Sequence, residues 1–207
     1  MSTISQIAQQ KRRVIFVCPI YESYPVVAHS LLMQTVNNWE LLLIHDGPSF
    51  TGVKGTVERT LKDPRIHYME TEARQGLWGH PIRRWAIEQL STGKLCPGGT
   101  HVVVTNPDNY HMPSYCEKML VGFRSPRIVA TYCASIVHNY IDWEVMHSRV
   151  ERGAIDTCGF MATIPVAAER GWFSDDHSAD WFYMEAIYKK YGQRGLQQVP
   201  GCLAVHN

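Results

Sequence analysis

The sequence predicts an α/β fold with a mostly parallel central sheet flanked by helices. Two observations carry this expectation. Residues 14–20 (VIFVCPI) and 40–45 (ELLLIH) are apolar runs without alternation, the pattern of strands buried on both faces. Segments of helical spacing separate such runs, so the first half reads strand–helix–strand–helix–strand–helix–strand. A chain of 207 residues, 45% hydrophobic and 19% charged, is long enough for one domain with its own core and short for two. Residues 1–207 are therefore read as a single domain, with 1–12 a flexible or peripheral N-terminus.

Each element has a local reason. The first strand follows a basic stretch and is apolar throughout. Residues 24–36 then place Val27 and Leu31 on one row and Ala28, Leu32 and Val36 on the next, which predicts a helix. The second strand stops at Asp46-Gly47-Pro48. Residues 55–62 read as a short helix and 66–69 as a third strand. Pro81 opens the next helix, because a missing N–H is harmless in the first turn. Ile82, Trp85, Ala86 and Leu90 give it an apolar face. Residues 101–105 form a fourth strand, followed by Asn106-Pro107-Asp108-Asn109.

The second half carries fewer strand–helix units. Residues 128–137 read as strand, 161–164 are short and apolar, and 196–203 suggest a last strand. Ser178 caps a helix that runs to Tyr191 and ends at Gly192.

Charge narrows the function classes. Lys and Arg number 20 against 19 Asp and Glu, a formal net charge of +1. No global basic field recruits nucleic acid or an acidic membrane. An anionic substrate must be met locally, by a few residues or a metal. The six cysteines include no C-x-x-C pair and read as reduced thiols of a cytoplasmic protein. The N-terminus is polar and then basic, unlike a signal peptide, and no apolar run reaches the ~18 residues of a membrane-spanning helix.

In open α/β sheets, ligands lie at the carboxyl ends of the strands. Those ends here carry Pro19-Ile20-Tyr21-Glu22, His45-Asp46-Gly47-Pro48 and Asn106-Pro107-Asp108. Each alone reads as a turn. In chain order they resemble glycosyltransferases of the GT-A fold, in particular the inverting family 2 group. Gln34-Thr35 with Trp39-Glu40-Leu41, Gly76 with Arg83-Arg84, Pro113 after Asp108, Ala179-Asp180-Trp181 and His206 extend the resemblance over roughly residues 13–206.

The resemblance implies a metal-dependent, inverting glycosyltransferase of hexosyltransferase type. It would move a sugar from a nucleotide sugar, UDP-linked, to a glycan or small hydroxyl acceptor. Asp180 is implied as catalytic base, with Asp175 and Asp176 as rivals. Pro19, Tyr21, Glu22, Asp46, Arg83, Asn106 and Pro107 are implied at the nucleotide. Arg83 is preferred to Arg84 for the diphosphate, and Asp46 for a base N–H. Asp108 and His206 are implied as ligands of Mn²⁺ or Mg²⁺. Gly159, Trp172 and Trp181 are expected near the sugars, with Trp78 and Trp143 as further stacking candidates.

The chemistry agrees with these roles. A diphosphate leaving group needs positive charge as the sugar–phosphate bond breaks. Guanidinium matches phosphate oxygens, hard oxygen ligands suit Mg²⁺ or Mn²⁺, and an added imidazole tilts the choice to Mn²⁺. A helix N-terminus is expected to keep Asp180 ionised.

Asn106 departs from the family's Asp and brings no charge. It implies a weaker metal site or a ribose contact, and it leaves open a non-catalytic nucleotide-sugar or glycan-binding module. A nucleotidyltransferase is a further alternative, although the glycine-rich basic loop it needs is missing after the first strand. A zinc hydrolase built on His101, His111 and His206 has no ligand spacing to support it. If the chain is a bare catalytic core, the acceptor is met by loops in the 138–180 region.

Overall fold

A computed structural model describes residues 12–138 and 142–207. Most of the segment read as a peripheral N-terminus lies outside these residues. Its last residue, Arg12, donates from its guanidinium to the carbonyls of Leu120 and Phe123.

Strands β1 (Val14–Ile20), β2 (Trp39–His45), β3 (Ile66–Glu70) and β4 (His101–Val104) form a parallel sheet in the order β3-β2-β1-β4. Beyond β4 the same sheet continues as a mixed one. β8 (Phe160–Thr163) runs antiparallel to β4 and to β6 (Ala130–Val137). β9 (Leu196–His206) lies parallel to β6, and β5 (Tyr110–His111) closes that edge antiparallel to β9. β7 (Glu144–Met146) pairs with β6 off the main path.

The apolar runs are explained by what covers them. Every residue of β1 is buried. Val14, Phe16, Cys18 and Ile20 face a core shared with α1 (Val26–Leu32), α2 (Val53–Thr60) and α4 (Tyr115–Gly122). Ile15 and Val17 face the opposite core, with α3 (His80–Ser91), α5 (Ile164–Arg170) and α6 (Ala179–Tyr191). With helices on both faces, neither side of the strand can be polar.

Several boundaries differ from the sequence reading. The helix expected over 24–36 is only Val26–Leu32. Pro25 holds its N-cap, and beyond Leu32 the chain is captured by other partners. Gln34, 8% exposed, donates to the carbonyls of Ser30, His111 and Met112 and accepts from the Cys116 N–H. The Thr35 N–H donates to the Pro113 carbonyl. So Gln34-Thr35, a motif element by sequence, fastens α1 to the β5–α4 segment.

α4 and α5 were not anticipated. Both follow ordinary start rules: Ser114 sits at the N-cap of α4, and Pro165 lies in the first turn of α5. Trp85, expected on the apolar face of α3, is 40% exposed. The last strand runs past Leu203 to His206, because β6 offers it partners as far as Val137.

Gln34→Ala leaves three carbonyls and one N–H without their partner in a closed interior. We expect it to lower the unfolding free energy by about 2 kcal/mol, measured by urea denaturation, with no change in slope.

Candidate active site

The carboxyl ends of β1, β2 and β4 open on a cleft of about 850 Å³. Pro19 and Tyr21 leave β1 along one side. The Arg74 guanidinium lies 3.8 Å above the Tyr21 ring, which fixes the lip of the cleft by a cation–π contact. Asp46, buried at the end of β2, accepts from the N–H groups of Gln75 (2.7 Å) and Gly76 (2.8 Å). Its charge thereby shapes the loop that runs into α3.

That loop approaches β1 as closely as a chain can. Gly79 has φ of +78°, and a Cβ there would stand 2.5 Å from Pro19 Cβ. Only glycine meets both demands. Leu77 and Trp78 also hold positive φ, and Trp78 stays 66% exposed at the cleft wall.

Arg83, on the first turns of α3, is 3% exposed and reaches into the cleft. It donates to the Trp78 carbonyl and to Asn106 Oδ1, each at 2.5 Å. Burial lowers its pKa to about 10, so it keeps its charge near neutrality. Asn106 is thus tied through its carbonyl oxygen to an arginine.

The opposite wall is acidic. Asp108 follows β4, Asp156 precedes the turn into β8, Asp180 begins α6, and His206 ends β9. Asp156 is buried and was not foreseen. Its Oδ1 accepts from the Cys158 N–H and the Thr157 hydroxyl, and its Oδ2 lies 3.0 Å from His206 Nδ1. Burial pulls the Asp156 carboxyl upward, but the bond to His206, that ring's charge and the Cys158 amide outweigh it and hold it below the usual range. Burial likewise depresses His206, yet Asp156, Asp108 and Asp180 together raise it. Asp108 is raised, first by burial, with His206 opposing.

Asp180 corrects an expectation. The helix N-terminus does not keep it strongly acidic. Burial, then the charge of Asp156, raises it to about 7, against the Trp181 N–H and Arg83. A carboxylate near 7 suits proton abstraction at neutral pH.

His80 was also missed. Trp172 Nε1–H donates to its Nδ1 at 3.0 Å, and burial with Arg83 lowers the ring to about 4. The neutral ring therefore carries its proton on Nε2, a buried atom that faces the Asp176 backbone. His80 lines the cleft.

Of the residues singled out by sequence, Pro19, Tyr21, Asp46, Arg83, Asn106, Pro107, Asp108, Trp172, Asp180 and His206 converge on this cleft. Trp172 is 1% exposed and offers the cleft little surface. Glu22 turns away and accepts from the N–H groups of Phe50 and Thr51, holding that loop. Gly159 is buried in the turn after Asp156. Trp181 packs on Phe182, and Trp143 stacks on His138 at 4.4 Å. Arg84 clamps the Trp172 carbonyl and Asp175. Asp176 accepts from the Ser178 N–H, so neither rival carboxylate reaches the cleft. His101 packs on Phe123, and His111 packs on Phe16 and Tyr115. They are core histidines, far in role from a zinc triad with His206.

The donor set fits a hard divalent cation. Asp156 and His206 bring an oxygen and a nitrogen within 4.8 Å of each other, and Asp108 lines the same cleft. Cys158, whose thiol lies near the Asp156–His206 pair, is held protonated by burial and by that carboxylate.

No protein-family model and no curated protein matches the chain. Solved structures do. TarS of S. aureus, a GT-2 family glycosyltransferase, superposes with a TM-score of 0.71 at 14% identity over 94% of this chain and 36% of that one. The chain has the GT-A-like glycosyltransferase fold. TarS 1–349 in complex with UDP-GlcNAc gives 0.69 at 13% identity, over 93% of this chain and 58% of that chain. The mannosyltransferase PcManGT from Pyrobaculum calidifontis, in complex with GDP-Man and Mn²⁺, gives 0.61 at 17%, over 94% and 56%. The chain thus spans less than two thirds of the length of these GT-A-like relatives. Among the described residues no helix is long and apolar enough to cross a membrane.

Two outcomes follow from the cleft. Asn106→Asp is expected to pair with Arg83 and leave Mn²⁺ affinity within about threefold of the parent, read by calorimetry; a tenfold gain would place residue 106 on the metal. Asp180→Asn should stabilise the metal-free protein at pH 8 by a few kcal/mol. A carboxyl raised in the folded state resists ionisation, so its penalty grows as pH climbs from about 4 to 7 and is absent below. Thermal midpoints of the two proteins should therefore converge near pH 3.

Proposed function

We propose that the chain is a glycosyltransferase that moves a hexosyl unit from a nucleotide sugar, UDP-linked, to a hydroxyl acceptor with inversion. One observation carries this reading most. On a GT-A-like fold, Asp108, Asp156, Asp180, His206 and the buried Arg83 meet in one cleft at the strand ends. TarS structures with UDP and UDP-GlcNAc support a uridine donor for this chain. The GDP-Man complex of PcManGT makes guanosine the competing base in any test.

In this reading the nucleotide lies between Tyr21, Asp46 and Pro107. The donor's diphosphate sits toward Asp108 and His206. Asp156 and His206, with Asp108 on the same wall, would hold a divalent cation, which would supply the positive charge that three carboxylates and one arginine cannot. Arg83 adds fixed positive charge behind it.

Asp180 accepts the proton of the acceptor hydroxyl as that oxygen attacks the anomeric carbon. The bond from that carbon to the phosphate oxygen breaks on the opposite face, and the nucleoside diphosphate departs with the electron pair. A carboxylate at this position is the group that general-base removal of the proton requires. The residues around the acceptor lie in the loops between β6 and α6.

The test is release of nucleoside diphosphate from a panel of UDP- and GDP-sugars with Mn²⁺ and glycan acceptors. Turnover of a UDP-sugar is expected, and Asp180→Asn should lower it ~10²–10⁴-fold while UDP affinity stays within a few-fold. Binding without turnover across the panel would favour a non-catalytic sugar-nucleotide module. Full activity in Asp180→Asn would remove it as the base.

A further inference from the structure

A second cluster of metal-ligating side chains stands at the other end of the strands. Glu40 is the second residue of β2 and His67 the second of β3, whereas the cleft opens at their last residues. Cys96 joins them from the loop between α3 and β4, on a backbone held at φ +41°. Each side chain contributes one ligand atom, and these atoms all lie within 4.8 Å of one another. Glu40 Oε2 is 2.8 Å from His67 Nε2. Its other oxygen, Oε1, accepts from Arg13 at 2.9 Å.

This division of labour has a chemical meaning. A carboxylate held by an arginine through one oxygen keeps a fixed orientation and leaves the other free to coordinate, as supporting partners of metal ligands commonly do. Thiolate, imidazole and carboxylate together form a donor set for a borderline-soft ion, unlike the oxygen-rich wall of the cleft. A tetrahedral zinc site places its ligands roughly 3.3–3.8 Å apart, so a small inward movement suffices. The His67 side chain is 42% exposed and free to make it.

We propose that Glu40, His67 and Cys96 form a binding site for zinc, separate from the catalytic cleft, that pins the edge strand β3 to β2 and to the loop after α3. With Glu40 and a Cys96 thiolate, the bound ion is neutralised locally. Burial and the nearby Glu40 charge push the free thiol up to about 12, so metal uptake replaces the proton on sulfur. The His67 proton moves to Nδ1 as Nε2 takes the metal. The site stands whether or not the cleft transfers sugar.

Cobalt(II) is the probe, because thiolate ligation gives an absorption band in the near ultraviolet that oxygen and nitrogen ligands do not. The intact chain is expected to bind one Co²⁺ that gives this band, in addition to any Co²⁺ held by oxygen and nitrogen in the cleft, and Zn²⁺ should abolish the band and raise the thermal midpoint. Cys96→Ser should abolish the band, and His67→Gln should weaken binding at least tenfold. His67→Gln changes a solvent-facing side chain, so it carries the test even if Cys96→Ser folds poorly. Asp108→Ala and Cys158→Ser should leave band and affinity unchanged. Absence of the band in the parent, its persistence in Cys96→Ser, or its loss in Cys158→Ser would overturn the proposal.

Discussion

A guanidinium cannot be buried in a protein without acceptors fixed around it. Arg83 is 3% exposed, and the cleft is arranged around meeting that requirement. One acceptor is the carbonyl of Trp78, which points inward because the backbone there takes a left-handed turn. The other is Asn106, two residues beyond the end of β4. Gly79 lets the start of α3 press against Pro19 so that the arginine reaches both. Strand end, turn and helix are thereby locked into one unit, and the positive charge is placed before any ligand arrives. Such preorganisation is what makes a fixed charge effective on a departing phosphate.

Across from it the balance of charge is reversed. Asp108, Asp156 and Asp180 raise His206, and burial raises Asp108 and Asp180. A wall of this kind repels a diphosphate on its own and attracts a cation. The near-neutral net charge of the whole chain is consistent with this arrangement: recognition of an anion is a matter of a few placed groups. Asp156 is the pivot, since it orients His206 while its own charge reaches Asp180.

How much of this was legible depends on where the physical cause lies. β1 and β2 were readable because burial on both faces imposes an uninterrupted apolar run. Asp108, Asp180 and His206 were named through the family resemblance, and the fold brings all three to the cleft. Asp156 was not, because its neighbours in sequence belong to an irregular loop and its partner arrives from β9. The one local signal was Asp-Thr-Cys-Gly, where an aspartate caps a tight turn before an apolar strand. His80 was passed over because its role depends on Trp172, a residue with no sequence relation to it. Glu22 misled for the opposite reason. It sits where a motif predicts a ligand contact, yet four backbone and hydroxyl donors of the 49–51 loop claim its carboxylate. α4 was overlooked although Tyr115, Cys116, Met119 and Leu120 have helical spacing and face the core.

The threading of β9 has a consequence for how the molecule comes into being. This strand is inserted between β6 and β5 and carries His206 to the cleft. During synthesis, β1 to β4 can pair as soon as they leave the ribosome. The far half must wait with a gap in its sheet until residues 196–206 emerge. Until then the edges of β5 and β6 are bare, and the acidic wall lacks its imidazole. The acidic wall of the cleft is therefore completed only once residues 196–206 have emerged, after its β1–β4 side has already taken shape.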